Sequence, residues 1–433
     1  MLIEFSVGNY KSFKEIVTFS MAASTITAKE KEIDEKNVFS IDDELSLLKS
    51  ASVYGANASG KSNLATAFSF MKNFVLNSSK ETQVAEEIDV EEFRLSADTV
   101  GEPSFFQIVF LLDGNKFRYG FEVNKQRVVS EWLFYVPNTR EAKLFVRELD
   151  NISLSKAFKE GRGIKNKTRE NALFLSVVAQ FNGEISQKIL LWFNKNFNVI
   201  SGLEDTGYLH YTIRRFDTNQ YKDDILRLVK KLDLGIDDIL VEKTRLTTES
   251  LPKEIPEELS KLILNSPEAA LMAIRTVHRK YDAEGNLTSP EIFDMDSHES
   301  EGTKKLFALA GPLVDTLKNG KVLLIDELDA RLHPLITNAI IELFNSNETN
   351  PHNAQLIFIT HDTNLLSNKI FRRDQIWFAE KDKQGATHLY SLVEYKIRRI
   401  WNDASFESDY IHGKYGAIPF IGDLRRVIAQ FNE

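Results

Sequence analysis

The 433-residue chain contains no cysteine. Disulfide scaffolds, Cys-ligated zinc, iron–sulfur clusters and thiol nucleophiles are thereby excluded, and a reducing compartment fits. Long apolar runs are missing too. A membrane-crossing helix needs about 18 or more apolar residues, and the longest stretch, Phe105 to Leu112, is interrupted by Gln107. The opening MLIEFSVGNYKSF places acidic and polar residues where a signal peptide has its apolar core. The expectation is a soluble, cytoplasmic protein with no membrane contact. Neither sign of charge dominates: 54 Lys and Arg against 63 Asp and Glu leave a net −9. That excludes a uniformly basic nucleic-acid coat and leaves a local basic stripe open. No internal repeat or low-complexity segment is visible.

Length alone allows two or three domains, or one large α/β domain with an insertion. Residues 2–7 and 50–54 read as strands, and a helix is expected from Lys61 to about Asn73. Residues 104–112, 116–123 and 127–136 are rich in Phe, Val and Tyr, with Asp113-Gly114 as a hairpin turn, so they predict an antiparallel sheet. From Arg169 to about Leu264 the apolar spacing is helical. Strands return near 271–281 and 287–294. The last third alternates: helix from Gly302, strand 321–326, helix 333–345, strand 355–360, helix 363–369, strand 375–379. Such alternation predicts a parallel sheet covered by helices.

Residues 55–62 read GANASGKS, which satisfies G-x4-G-K-[ST] between a predicted strand and a predicted helix. Gly55 and Gly60 let backbone N–H groups wrap a phosphate without Cβ clashes. Lys61 supplies a mobile cation, Ser62 offers a hydroxyl to Mg²⁺, and the helix start presents its positive end. Residues 321–327, KVLLIDE, form a strand buried on both faces that ends in two carboxylates. Asp326 would hold Mg²⁺ and Glu327 would act as general base on water, whereas on local grounds both could be solvated acids at a strand end. QLIFIT (355–360) ends at His361, a γ-phosphate contact or a capping His. Residues 299–303, ESEGT, read locally as a helix cap, with Ser300 or Thr303 capping and Gly302 allowing close backbone approach.

These pieces in this order resemble an ABC-type P-loop ATPase head of the SMC, RecF and OLD branch. Within it the chain is similar to stand-alone ATPases, often called AAA proteins, of prokaryotic anti-phage defence loci. The segments NYKSF (9–13), FRYGFEV (117–123), NALFLS (171–176), ESEGTKKLF (299–307), IDELDARLHP (325–334) and YGAIP (415–419) carry that likeness. The resemblance implies an α/β head with an antiparallel β lobe (1–150), a helical insertion between Walker A and the signature (151–270), and a C-terminal ATPase lobe (271–433). It implies ATP and Mg²⁺ as ligands. Gly55, Asn57, Gly60, Lys61, Ser62, Asn63 and Lys11 would bind the nucleotide, and Lys61, Glu327 and His361 would serve catalysis. Ser62 and Asp326 would take the metal, with Gln107, the candidate Q-loop residue, as a further candidate contact to it. Ser300, Gly302 and Thr303 would form a signature acting on ATP held by a second copy, and Asp329 the D-loop. The signature departs from LSGGQ: Glu299 replaces its Leu and Glu301 its central Gly.

The resemblance further implies a homodimer through ATP-sandwiched heads, with higher homo-oligomers left open, and a partner effector such as a Toprim-type nuclease in abortive infection. A RecF- or SMC-like DNA-repair ATPase is the alternative. Basic clusters at 162–169, 227–231 and 396–399 read first as solvated surface and keep nucleic-acid binding open. No sustained heptad marks a coiled coil between Lys61 and Asp326. The residues after His361 lack an acidic metal triad, so a built-in nuclease is disfavoured, and Asp294-x-Asp296 reads as structural. No guanine-reading N-K-x-D follows the loop.

Overall fold

A computed structural model describes residues 1–80, 83, 86–137, 140–232, 235–245, 270–395 and 405–419. They form two compact units. The first comprises Met1–Gly202, Thr316–Asp329 and Thr337–Glu433, and the second Leu203–Asp315 and Ala330–Ile336.

The first unit is α/β and holds two sheets. One has seven antiparallel strands in the order Asn151–Leu154, Ala142–Glu148, Val128–Val136, Asn115–Val123, Ser104–Leu112, Leu2–Gly8, Val17–Ser20. Asp113 and Gly114 both have positive φ (50° and 75°), the primed hairpin geometry that matches strand twist. One face of this sheet packs on the helix Lys61–Asn77: Phe5 stacks on Phe68 with ring centroids 3.7 Å apart, and Phe106 lies 4.8 Å from Phe70. The other sheet runs Phe197–Ser201, Val322–Asp326, Gln355–Ile359, Ser50–Tyr54, Ile376–Lys381, Thr387–Ser391. Its first five strands are parallel and the last is antiparallel. Leu323, Leu324 and Ile325 are fully buried, as their unbroken apolar run requires, and each such side chain contributes about 2 kcal/mol of transfer free energy.

The second unit carries the three-stranded antiparallel sheet Ile236–Arg245, Ala270–His278, Glu291–Asp294. Against it lie the helices Thr206–Asp217 and Lys222–Lys231 and the first part of Glu301–Asn319, with Phe216, Ile225, Ile239, Ile274 and Phe307 in one core.

Three expectations change. The predicted helical insertion at 151–270 is not one body. Phe197–Ser201 is a strand that pairs in parallel with Val322–Asp326, and the helices Phe174–Gln180 and Glu184–Lys195 belong to the first unit's core. The unit boundary therefore falls after Gly202, not at 150. Five residues are too few for periodicity to separate a buried strand from a helix end. Ile236–Arg245 is likewise a strand inside the predicted helical region. The predicted helix at 363–369 is a single 3₁₀ turn, Thr363–Leu365, capped by the Asp362 carboxylate. The rest of the predicted helical stretch, 246–269, lies outside the described residues, as does the basic cluster at 396–399. Among the described residues no helix is long and apolar enough to cross a membrane.

Candidate functional site

The parallel strand Ser50–Tyr54 ends at the loop 55–60, and the helix Lys61–Asn77 starts directly after it. Carboxyl ends of parallel strands are where such sheets hold ligands. Gly55 and Gly60 have φ of 156° and 99°. A Cβ on Gly55 would fall on the Ala379 carbonyl oxygen, and one on Gly60 on the hydroxyls of Thr387 and Ser12. Glycine is thus required both by backbone conformation and by neighbours packed against the loop. No side chain caps the helix that follows.

The Lys61 ammonium turns back onto the loop, donating to the carbonyls of Gly55 (2.6 Å) and Ala56 (2.9 Å). Burial pushes its pKa down to about 8, against the opposing pull of Asp326, Glu327 and Asp329. Below the loop, Asn63 donates to Ser12 Oγ (2.7 Å), and Thr387 Oγ1 lies 2.8 Å from both Ser12 Oγ and the Ser59 carbonyl. This brace escaped the sequence reading, because Thr387 lies far along the chain with no local motif.

Asp326 ends the strand Val322–Asp326. Burial raises its carboxyl above the usual carboxylate range, while a hydrogen bond from Ser62 and the charge of Lys61 oppose the rise. One Asp326 oxygen, Oδ1, is buried without a hydrogen-bond partner. A buried acceptor left open beside a serine hydroxyl fits a divalent cation. Among the described residues no cluster of three or more His, Asp or Glu could hold a metal. A cation held by Ser62 and Asp326 would therefore need ligand and water oxygens to complete its shell. Asp329 Oδ1 is also buried and unpartnered.

Glu327 adopts φ 56°, a left-handed conformation that costs about 1 kcal/mol in a non-glycine residue. The turn is held by Gly202, whose N–H donates to the Asp326 carbonyl at 2.5 Å. A Cβ on Gly202 would fall on the Glu327 carbonyl oxygen. Gly202 was missed in the sequence. Its only signal is a glycine at the end of a short strand that the helical reading concealed.

Glu327, His361, Lys61 and residues 57–63 line one cavity of about 540 Å³, together with Lys381. Burial and the charge of Lys61 push the His361 imidazole below its ordinary range, so it is neutral at pH 7, while Asp329, Glu327 and Asp326 pull the other way. A second cavity of about 550 Å³ is lined by Lys11, Ser12, Asn63, Arg94 and Lys381, among others. Lys11 therefore lies on that cavity, 3.7 Å from Glu91, and not on the one formed by the phosphate loop. Gln107 lines neither cavity. Its amide oxygen accepts from Arg118 Nη1 and Trp132 Nε1, both at 3.1 Å, across the antiparallel sheet. The metal-contact expectation for Gln107 is corrected accordingly: its acceptor is already engaged.

In the second unit, Ser300 Oγ accepts from the Thr303 N–H (3.1 Å) and lies 2.9 Å from Thr303 Oγ1, so it caps the helix Glu301–Asn319. A Cβ on Gly302 would stand 2.9 Å from the Arg331 carbonyl oxygen. The two signature departures have local partners. Glu299 accepts from Thr276 Oγ1 (2.5 Å) and pairs with His278 Nε2 (2.6 Å) on the neighbouring strand. Glu301 pairs with Lys304 at 2.8 Å and with Arg331 at 3.4 Å. Asp294 caps its own short helix at Ser297 and pairs with Arg275, a structural role.

Residues 50–367 match the family model described as "AAA domain, putative AbiEii toxin, Type IV TA system". Among solved structures, the SMC head domain from Thermotoga maritima is similar at 13% identity and a TM-score of 0.38, covering 90% of this chain and 98% of that one. No curated protein matches the chain.

Proposed function

This chain belongs to the AAA-domain family whose description names the AbiEii toxin of type IV toxin–antitoxin systems, and on that premise we propose that it binds and hydrolyses ATP as the nucleotide-driven switch of a prokaryotic defence system. The observation that carries the reading is the convergence on one cavity of an uncapped phosphate-loop helix, Lys61, Glu327 and His361.

Lys61 leaves its loop carbonyls and pairs with terminal phosphate oxygens, beside the positive end of a helix that no side chain caps. Ser62 and Asp326 would hold Mg²⁺, which would neutralise charge on the phosphates. Glu327 accepts the proton of the attacking water, its carboxylate aimed by the left-handed turn that Gly202 keeps in place. Neutral His361 donates a hydrogen bond toward the terminal phosphate.

Two further parts of the proposal come from the resemblance of the motifs. Ser300, Gly302 and Thr303 act on ATP held by a second copy, with Asp329 linking the two sites, so ATP closes a homodimer and hydrolysis loosens it. The pair controls a second, toxic protein, for which a Toprim-type nuclease is the leading candidate. The toxin system named in the family description supports a defence setting.

The test is Glu327→Gln. It should bind ATP normally and cut turnover by at least ~10²-fold, since the base is gone; near-normal turnover would sink the assignment. The same variant, tagged and purified from its native locus, should retain the ATP-bound assembly. Mass spectrometry should then find a stoichiometric neighbour-encoded protein. Recovery of the ATPase with DNA alone would overturn the defence reading in favour of DNA repair.

A further inference from the structure

The strand Ile376–Lys381 lies parallel to Ser50–Tyr54, with Phe378 paired to Tyr54. At Tyr54 the one strand gives way to the phosphate loop, while the other runs on to Ala379, Glu380 and Lys381. This extension passes close to the loop, since the Ala379 carbonyl is what a Cβ on Gly55 would meet. Lys381 is paired across the sheet with Thr387, whose hydroxyl lies 2.8 Å from the Ser59 carbonyl. Backbone pairing therefore holds Lys381 at the rim of the loop, at the ligand-bearing end of the parallel sheet.

The Lys381 side chain is exposed and lines both cavities, and Asn63 is the other residue they share. Its charge is also unlike that of the neighbouring lysines. Lys61 is bonded to two loop carbonyls and Lys11 faces Glu91. Among the described residues, the Lys381 ammonium has neither a carboxylate in ion-pair range nor a hydrogen-bond acceptor. An unpaired ammonium on a concave wall is a charge available to a ligand anion.

We propose that Lys381 is a second phosphate-contacting cation of the nucleotide site, placed where the two cavities meet and serving to bind a nucleoside triphosphate, not to carry out the chemical step. The inference rests on the nucleotide-binding reading above. It predicts a split between affinity and turnover. A mobile, exposed ammonium strengthens ground-state binding, while the hydrolytic geometry is set by Glu327 and the loop.

The experiment uses the full chain with Lys381→Ala, Lys381→Arg and Lys381→Glu, and Lys61→Ala alongside. Binding is read with a fluorescent ATP analogue plus Mg²⁺, and turnover by phosphate release. Lys381→Ala should weaken binding by about tenfold, the loss expected for one charge-assisted contact. Turnover at saturating ATP should stay within about twofold of the parent. Lys381→Glu should bind more weakly still, Lys381→Arg should retain most of the affinity, and the Ala defect should shrink at high salt. The side chain is exposed, so all three variants should keep the parent melting temperature. Parent-like affinity in Lys381→Glu, with binding lost in Lys61→Ala, would overturn this inference and leave the phosphate loop standing. A fall in turnover with unchanged affinity would also overturn it. Retained binding in Lys61→Ala would instead remove the nucleotide-binding reading itself.

Discussion

The helices Lys61–Asn77 and Glu301–Asn319 follow a glycine and a serine respectively, and this one residue changes how each start is covered. Gly60 precedes the first with φ 99° and no side-chain cap, and the residues around it line a cavity. Ser300 precedes the second and already accepts from the Thr303 N–H. In the first helix no side chain covers the start and the Asn63 N–H turns to the Gly60 carbonyl (3.1 Å), whereas in the second the Ser300 hydroxyl takes the corresponding Thr303 N–H. A start without a side-chain cap leaves its first N–H groups for a ligand. A serine cap holds its helix together and must be given up before its hydroxyl serves anything else. The same residue types therefore read as a ligand loop in one place and as a cap in the other, and what separates them is which residue stands immediately before the helix.

The largest effect should come from removing the open end's cation. Lys61→Ala should abolish detectable ATP binding by calorimetry, and retained affinity would break the comparison at its stronger side. Next is Gly202→Ala. The added methyl falls on the Glu327 carbonyl, so the turn must move, and turnover should drop by roughly tenfold or more while ATP affinity is kept. Parent-like turnover at saturating ATP would show that Glu327 does not depend on its left-handed turn.

A third effect sharpens the role of Lys61 without changing a residue. Its pKa is pushed down to about 8. The cationic form prevails below that value and is lost as pH rises through it. ATP affinity should therefore fall by about tenfold from pH 7 to pH 9 if only the ammonium binds. A flat profile across that window would mean that the loop amides alone carry the affinity. The smallest effect belongs to the capped helix. Ser300→Ala should destabilise the chain by about 1 kcal/mol in denaturant titration, the usual loss for an N-cap serine. A loss of turnover beyond that shift would indicate that Ser300 also acts on a ligand.

Much of the first unit was legible from residue order. The Asp113-Gly114 hairpin, the loop GANASGKS and the strand KVLLIDE each carry a local pattern with one physical meaning, and each forms the element it predicts. Part of the predicted insertion was not legible. FNVIS is five residues long and becomes a strand only because the edge of Val322–Asp326 is there to pair with it. Gln107 was the Q-loop candidate, and the antiparallel register gives its oxygen to Arg118 and Trp132. Glu299 looked like a damaged signature, and the fold sets it against Thr276 and His278.

Residue order by itself determined the phosphate loop, the buried strand bearing Asp326 and Glu327, and the absence of cysteine chemistry, because each depends on neighbours within a few residues. Tertiary structure alone decided that Thr387 and Ser12 brace the loop, that Gly202 seats the turn of Glu327, and that Lys381 stands at the loop's rim. Those contacts join residues far apart in the chain that the strand order and packing of the two sheets make neighbours, and the order in which strands pair is written in no local stretch of the chain.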